Sequence, residues 1–323
     1  IIFYQAPIAG RDFQYELSYL RNIHPVQIIR FKTTSRDYLG TFISEFLRTS
    51  RAVYSFDEHA RTRQLSPSSP TLLVYNTATK NKPKGALIHH AGLIESARIR
   101  NTYWHADPVR MINHRPISQL GCISEISLFV LASSGTQIML PKFDPINYNE
   151  LMERHKCTIW GGLPATFKSC LEDPAITNYQ FPALQKIVWS GSAISKDQLK
   201  RLKTICPNLS SAYDQPESLS SLCYTREGDS DEVYLNTIGK PIDRYETRIM
   251  KKNAQLAKIG EVGEIQYRGD HLLCSYINQQ DTEGSPSDSD GWFKTGDLGV
   301  MRDDGNIELI GRLQDQHETD AAT

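Results

Sequence analysis

Short apolar runs alternate with amphipathic stretches through the middle of this 323-residue chain, and that alternation restricts the possible folds more than any other feature. Residues 72–75, 137–140, 158–160 and 187–189 are apolar and bulky, the pattern of buried strands. Helical signals sit between them. Ser195-Lys196-Asp197-Gln198 reads as a capping box ahead of a stripe of Leu199, Leu202 and Ile205. Asp144-Pro145 is an N-cap followed by proline at the first helical position, leading into Tyr148, Leu151 and Met152. Strands that alternate with helices pair in parallel, because each helix serves as the crossover. After about residue 235 the pattern changes: Glu264-Ile265-Gln266-Tyr267-Arg268 alternates, and Asp303-Asp304-Gly305 turns between two apolar runs. The expected fold is α/β, with mostly parallel sheets flanked by helices over residues 1–235, the parallel sheet falling within 71–235. A small antiparallel β-rich subdomain is expected over 236–312, and a hinge and tail over 313–323.

Charge and cysteine usage exclude several classes of function. Lys and Arg number 36 against 37 Asp and Glu, so no bulk attraction draws the chain to nucleic acid or anionic lipid. No apolar run approaches the roughly 20 residues that span a bilayer. Cys122, Cys157, Cys170, Cys206, Cys223 and Cys274 stand far apart with no CxxC pair, which argues against a zinc site or a disulfide framework. Inert buried thiols and a reducing intracellular compartment are expected, without resolving cytoplasm, mitochondrion or peroxisome. The chain opens at Ile1-Ile2-Phe3 without Met, which points to further sequence upstream.

Three segments carry chemistry. Residues 75–85 run from a strand into a loop with Thr77, Thr79, Lys80 and Lys82, end at Pro83-Lys84-Gly85, and lead toward a helix from about Ala91. Such a loop can offer N–H groups, hydroxyls and a lysine to a polyphosphate, although taken alone it reads rather as a polar surface loop. Tyr213-Asp214-Gln215-Pro216-Glu217 follows a strand; an aromatic face and a carboxylate can stack on a base and hold magnesium, or form an ordinary proline turn. In Phe293-Lys294-Thr295-Gly296-Asp297-Leu298, a carboxylate beside a glycine turn can accept both hydroxyls of a ribose, or simply close a hairpin.

Taken in order, these segments resemble the acyl-adenylate-forming superfamily, the AMP-binding acyl-CoA synthetases and 4-coumarate-CoA ligase-like enzymes. Residues 75–85 are similar to its Tyr-Thr-Ser-Gly-Thr-Thr-Gly-x-Pro-Lys-Gly loop, and His90 falls where the family keeps a histidine. The resemblance implies that Thr77, Thr79 and Lys84 meet phosphate, Tyr213 meets adenine and Glu217 holds Mg2+. It implies Asp297 and Arg312 as ribose or phosphate contacts, Arg312 opening a hinge-like Gly311-Arg312-Leu313-Gln314-Asp315. Ser190-Gly191-Ser192-Ala193 resembles the wall between nucleotide and acyl pockets, so Gly191, Ser192 and Ala193 are expected there with Gln119, which stands where an acyl-pocket histidine is frequent. Gly260-Glu261-Val262-Gly263-Glu264, Arg268-Gly269 and Ser275-Tyr276 resemble a further family segment. By this resemblance the substrates and cofactors are ATP or AMP, Mg2+, CoA and a carboxylic or fatty acid. The acid would attack the α-phosphate to give acyl-AMP, and CoA would then take the acyl group.

Departures from the pattern fall on the phosphate side. Ala78 and Asn81 replace glycines, which costs on the order of 1 kcal/mol each where the backbone needs φ > 0. Lys80 replaces a threonine, Asp214 brings negative charge, and Pro216 removes a hydroxyl and an N–H. The chain ends at Thr323, without the small C-terminal domain and the lysine that the family uses in adenylation. Loss of one preorganised donor typically costs about 2.7–4 kcal/mol of transition-state stabilisation. Two readings follow: an acyl-CoA synthetase-like AMP-binding domain, weak or inactive as it stands, or a non-catalytic pseudoenzyme serving as a structural or binding subunit with protein partners.

Overall fold

The computed structural model describes residues 2–4, 14–23, 28–30, 41–42, 45, 47–48, 65–76, 84–117, 119–215, 218–269, 275–276 and 287–313. The chain divides into two compact units, residues 1–65 and 66–323. In the first, β1 (Ile2–Tyr4), β2 (Ile28–Arg30) and β3 (Thr41–Phe42) pair in parallel, and helix α1 (Gln14–Ile23) connects β1 to β2.

The second unit opens with a hairpin, β4 (Pro70–Asn76) and β5 (Lys84–His89), followed by α2 (His90–Tyr103). The sequence pattern alone leads from the 75–85 loop to a helix; the structure places β5 between them. Lys84 and Gly85 pair with Asn76 and Tyr75, because Ala86, Leu87 and Ile88 form an apolar run that gains more by laddering than by starting a helix. Next come β6 (Arg110–Asn113), a π-helical segment (Gly121–Ser127) running into α3 (Leu128–Ala132), and β7 (Thr136–Met139). The alternation continues through α4 (Pro145–Arg154), β8 (Ile159–Gly162), α5 (Pro164–Leu171), β9 (Lys186–Ser190), α6 (Lys196–Ile205) and β10 (Leu209–Asp214).

Seven strands form the main sheet, in the order β12-β11-β10-β9-β8-β6-β7, where β11 is Ser221–Tyr224 and β12 is Lys240–Pro241. The five strands from β7 to β10 pair in parallel; β11 and β12 add antiparallel at one edge, with α7 (Asp231–Asn236) between them in sequence. Both faces are buried, as parallel sheets require. Alternate residues of the same strands enter different cores. Met111, Ile159 and Val188 join Trp104, Phe129 and Tyr213 on one side, while Ile112, Trp160, Ile187 and Trp189 join Tyr148, Phe167 and Leu202 on the other.

The helix starts follow the sequence signals. Asp144 accepts from the Asn147 N–H at 2.9 Å ahead of Pro145. The Ser195–Gln198 box closes in both directions, each bond 3.2 Å. Over the later residues, β13 (Glu246–Met250), β14 (Val262–Arg268), β16 (Phe293–Met301) and β17 (Ile307–Arg312) form the expected antiparallel sheet. Short β15 (Ser275–Tyr276) pairs instead with β5.

Gly239 ties the two large sheets together: its carbonyl accepts from Ile307 at 3.0 Å, and the Ile238 N–H donates to the Ile307 carbonyl at 2.8 Å. Its φ is +84°, and an added Cβ would lie 2.1 Å from the Tyr224 carbonyl carbon. Gly228 shares the conformation, with φ +83°, but faces open space. Gly228→Ala should therefore cost about 1 kcal/mol and Gly239→Ala clearly more, on the order of 2 kcal/mol or above, in urea denaturation. Equal losses would contradict the close approach.

Candidate functional site

Loops at the carboxyl ends of parallel strands are where open α/β sheets bind ligands, and here the loops after β9 and β10 border a cavity of about 540 Å3. Gly191, Ser192 and Ala193 form the wall beyond β9, Tyr213 and Asp214 come from the end of β10, and Asp297 and Arg312 enter from the antiparallel sheet. The volume lies within the usual range of about 300–1,000 Å3 for small-molecule sites. Gly191 holds φ +86°, and a Cβ there would approach Leu163 to 2.9 Å, so the wall is built for glycine.

Asp297 is the centre of this cavity. It is 4% exposed, and both carboxylate oxygens are engaged. Oδ2 accepts from the Tyr213 hydroxyl and from Gln215 Nε2 at 2.7 Å; Oδ1 faces Arg312 Nε at 3.1 Å. The β16–β17 register sets Asp297 opposite Arg312, which is why a charged pair arises from residues far apart in sequence. Gln215 also donates to the Tyr213 oxygen at 2.9 Å and to the Thr295 carbonyl at 3.0 Å. Burial, then the charge of Asp297, pushes the Tyr213 phenol far above its ordinary value, so it stays a neutral donor. Arg312 is the exposed partner: its side chain is 65% exposed against 6% for Asp297.

A smaller cavity of about 260 Å3 adjoins the first and shares Gly191 and Asp214 with it. Two ion pairs line it. Arg100, nearly fully buried on α2, meets Asp214 Oδ1 at 3.2 Å, and Arg115 meets Glu125 Oε2 at 3.0 Å. Ser221 Oγ also donates to Asp214. Burial, and then the charge of Asp214, holds the Glu125 carboxyl above the usual carboxylate range, while Arg115 and Arg100 oppose that rise.

Of the residues expected from sequence, the larger cavity gathers Gly191, Ser192, Ala193, Tyr213, Asp297 and Arg312. Gln119 does not join them. It is exposed in a turn, its N–H donating to the Pro116 carbonyl at 2.9 Å, and the next two residues, Leu120 and Gly121, line the smaller cavity instead. Thr77, Thr79 and Glu217 lie outside the described residues, as do Cys274 and the side chain of Lys84, whose backbone opens β5. The remaining five cysteines are free and buried. Among the described residues, no group of His, Cys, Asp and Glu is placed to hold a metal ion. Sequence reasoning missed Gln215, Arg100, Arg115 and Glu125. Gln215 carries a legible signal, since it stands two residues after Tyr213 and so faces the same side of an extended chain. A third cavity of about 550 Å3, lined by Arg248, Lys252, Glu264 and Lys294 on the antiparallel sheet, collects none of the expected residues.

The charge on Asp214, which the sequence presents as repulsive toward phosphate, is directed at Arg100. Removing one partner of such a buried pair should cost about 3–5 kcal/mol, while removing both restores much of it. Arg100→Met should thus lower stability strongly in denaturant unfolding, and Arg100→Met with Asp214→Leu should recover more than half the loss. A double variant no more stable than the single one would show that the pair is not the source.

The profile of the AMP-binding enzyme family matches residues 26–277. Medium/long-chain-fatty-acid–CoA ligase FadD8 from Mycobacterium tuberculosis is 28% identical over 254 residues, covering 78% of this chain and 44% of that protein. The 4-coumarate–CoA ligase 2 of Nicotiana tabacum is 24% identical over 263 residues, covering 78% of this chain and 48% of its own. The anthranilate CoA ligase AuaEII, solved in complex with anthranoyl-AMP, superposes with a TM-score of 0.79 at 17% identity, covering 97% of this chain and 59% of that one. The chain spans about half the length of the curated relatives it matches. No helix among the described residues is long and apolar enough to cross a membrane. With a family profile matched over most of its length and the α/β architecture to go with it, this chain belongs to the AMP-binding enzyme family, within the acyl-adenylate-forming superfamily.

Proposed function

We propose that this chain binds an adenosine nucleotide in the larger cavity and a carboxylic acid beside it, as the substrate-binding part of an acyl-CoA ligase-like protein. One observation carries the reading: Tyr213, Asp297, Arg312 and the Gly191–Ala193 wall, spread over more than a hundred residues of sequence, converge on one cavity of about 540 Å3. The donor set suits a nucleotide. Asp297 Oδ1, with two lone pairs, can accept from vicinal hydroxyls once Arg312 moves aside, and Arg312 offers a cation that can follow either ribose or phosphate. Tyr213 supplies an aromatic wall held in place by its bond to Asp297.

In the ligase reading, ATP would supply the leaving group for activation of the acid, with Mg2+ and CoA as family-implied participants and Glu217 and Lys84 as the proposed metal and phosphate residues. What the described residues do is bind and orient: the glycine wall separates the two ligands, and Asp297 fixes the sugar. The replacements Ala78, Lys80, Asn81 and Pro216 favour a second reading on the phosphate side, that of a non-catalytic binding subunit which keeps the adenosine site. A flexible ammonium at position 80 does not substitute for backbone donors fixed before reaction.

Calorimetric titration of residues 1–323 is expected to give AMP binding tighter than that of ATP-Mg, and at least about tenfold weaker AMP binding in Asp297→Ala, the equivalent of one or two lost charge-assisted hydrogen bonds. Unchanged AMP affinity in that variant would remove Asp297 from the site. Pyrophosphate exchange with medium-chain, long-chain and aromatic acids should stay at background for this chain. Robust exchange would sink the non-catalytic reading and leave the ligase.

A further inference from the structure

We propose that the third cavity, the one of about 550 Å3 on the antiparallel sheet, is a second ligand site, and that it takes a small anion with a short aliphatic body, of the phosphate monoester class. The proposal is independent of the nucleotide reading, because this cavity shares no residue with the one around Asp297.

Strand register sets the floor. Directly paired residues of an antiparallel sheet share a face, so β13, β14 and β16 lay down two rungs. Arg248, Gln266 and Lys294 make one; Met250, Glu264 and Leu298 make the next. Their neighbours Ile249, Ile265 and Phe293 go to the core on the opposite face. The first rung ends in a cation on each side. The second ends in an apolar side chain on each side, and Val262 and Leu313 extend that apolar wall. The volume is ordinary for a small-molecule site.

What the lining leaves open decides the charge of the ligand. Both carboxylates are occupied. Asp288 Oδ1 accepts from the Asp290 and Trp292 N–H groups at 3.0 and 2.9 Å, and its Oδ2 faces Arg248 at 3.3 Å. Glu264 accepts from the Gly296 N–H at 3.1 Å and from Gln266 Nε2 at 2.8 Å. The Gln266 oxygen in turn accepts from Arg248 Nε at 2.9 Å, and Lys251 is held by Glu261 at 2.9 Å. Lys252 Nζ, Lys294 Nζ and Arg248 Nη1 remain, without a hydrogen bond or ion pair among the described residues. All three are cationic donors. The Arg248 guanidinium lies 3.9 Å over the Trp292 ring and is held by Gln266 and Asp288, so its open edge is fixed before a ligand arrives. Two ammonium groups and a guanidinium edge suit a dianion better than a single carboxylate, and the apolar rung beside them rewards hydrocarbon next to the charged head.

The test is calorimetry on residues 1–323 with hexyl phosphate, hexanoate, inorganic phosphate and 1-hexanol, each with and without excess AMP. Hexyl phosphate is expected to bind at least about tenfold tighter than each of the others, the size of roughly two buried methylenes or one charge-assisted hydrogen bond. AMP should not displace it. Lys252→Gln combined with Lys294→Gln should weaken hexyl phosphate at least about tenfold. Both lysines are exposed, so the variant should fold, which a thermal melt checks. Lys196→Gln combined with Lys200→Gln makes the same charge change on exposed lysines of α6 and should leave the affinity within about twofold. The proposal is overturned if inorganic phosphate, hexanoate or 1-hexanol matches hexyl phosphate, if AMP displaces it, if the two lysine pairs behave alike, or if nothing binds at millimolar concentration. Sedimentation with phosphatidic acid vesicles but no binding of hexyl phosphate would also overturn it, and make this face a membrane contact instead.

Discussion

A single buried carboxylate, Asp297, is the point on which the rest of the site depends. Its partners come from two strands in two sheets and the residue that follows one of them: Tyr213 from the end of β10, Arg312 from β17, and Gln215 just past β10. A buried anion is tolerated only when its lone pairs are satisfied and a cation stands near, so these contacts fix where the antiparallel sheet can sit on the parallel one. The cavity is a consequence of that junction. Apolar packing joins the two sheets as well, since Ile265, Tyr267, Phe293 and Ile307 share one core with Met111, Ile159 and Val188, and the cavity borders the polar cluster beside that core.

The same logic explains why Asp214 can occupy a position beside an anion site. Its charge is matched by Arg100, which reaches it from inside α2 and is buried to 1% exposure. Arg100 also bonds Ser96 and lies against the ring of Trp104 at 5.5 Å, so its guanidinium is held in place before any ligand arrives. An aspartate with a preorganised buried counterion projects far less negative potential than a lone one. The cost falls on the fold, which has to keep both charges desolvated.

How much of this was legible in the sequence varies with the range of the interaction. The Ser195–Gln198 box and the Asp144-Pro145 start are local, decided within one helical turn, and both formed as the sequence indicates. The parallel strands 158–160 and 187–189 were visible because burial on both faces leaves no polar alternation to mislead. The β5 strand was missed because Lys84-Gly85 reads as the end of a loop, while its pairing with β4 depends on a hairpin whose turn chemistry carries no clear signature. Site residues divide in the same way. Tyr213, Asp297, Arg312 and Gly191–Ala193 sit in recognisable local strings, whereas Arg100–Asp214 and Arg115–Glu125 join positions whose proximity only the tertiary fold creates. Gln119 also sits in a recognisable string but is exposed, and the π-helical segment that begins at Gly121 brings Gly121, Ser124 and Glu125 to the smaller cavity.

The two cavities meet at Gly191 and Asp214, and this shared border couples what each can hold. Gly191 holds φ +86°, a conformation that favours glycine, so backbone rather than a side chain lies at that border. Asp214 presents its paired oxygen to Arg100 at the same border, so any change of charge there is felt on both sides. The scaffold is common to relatives named for fatty acids and for 4-coumarate and to a structure that holds anthranoyl-AMP.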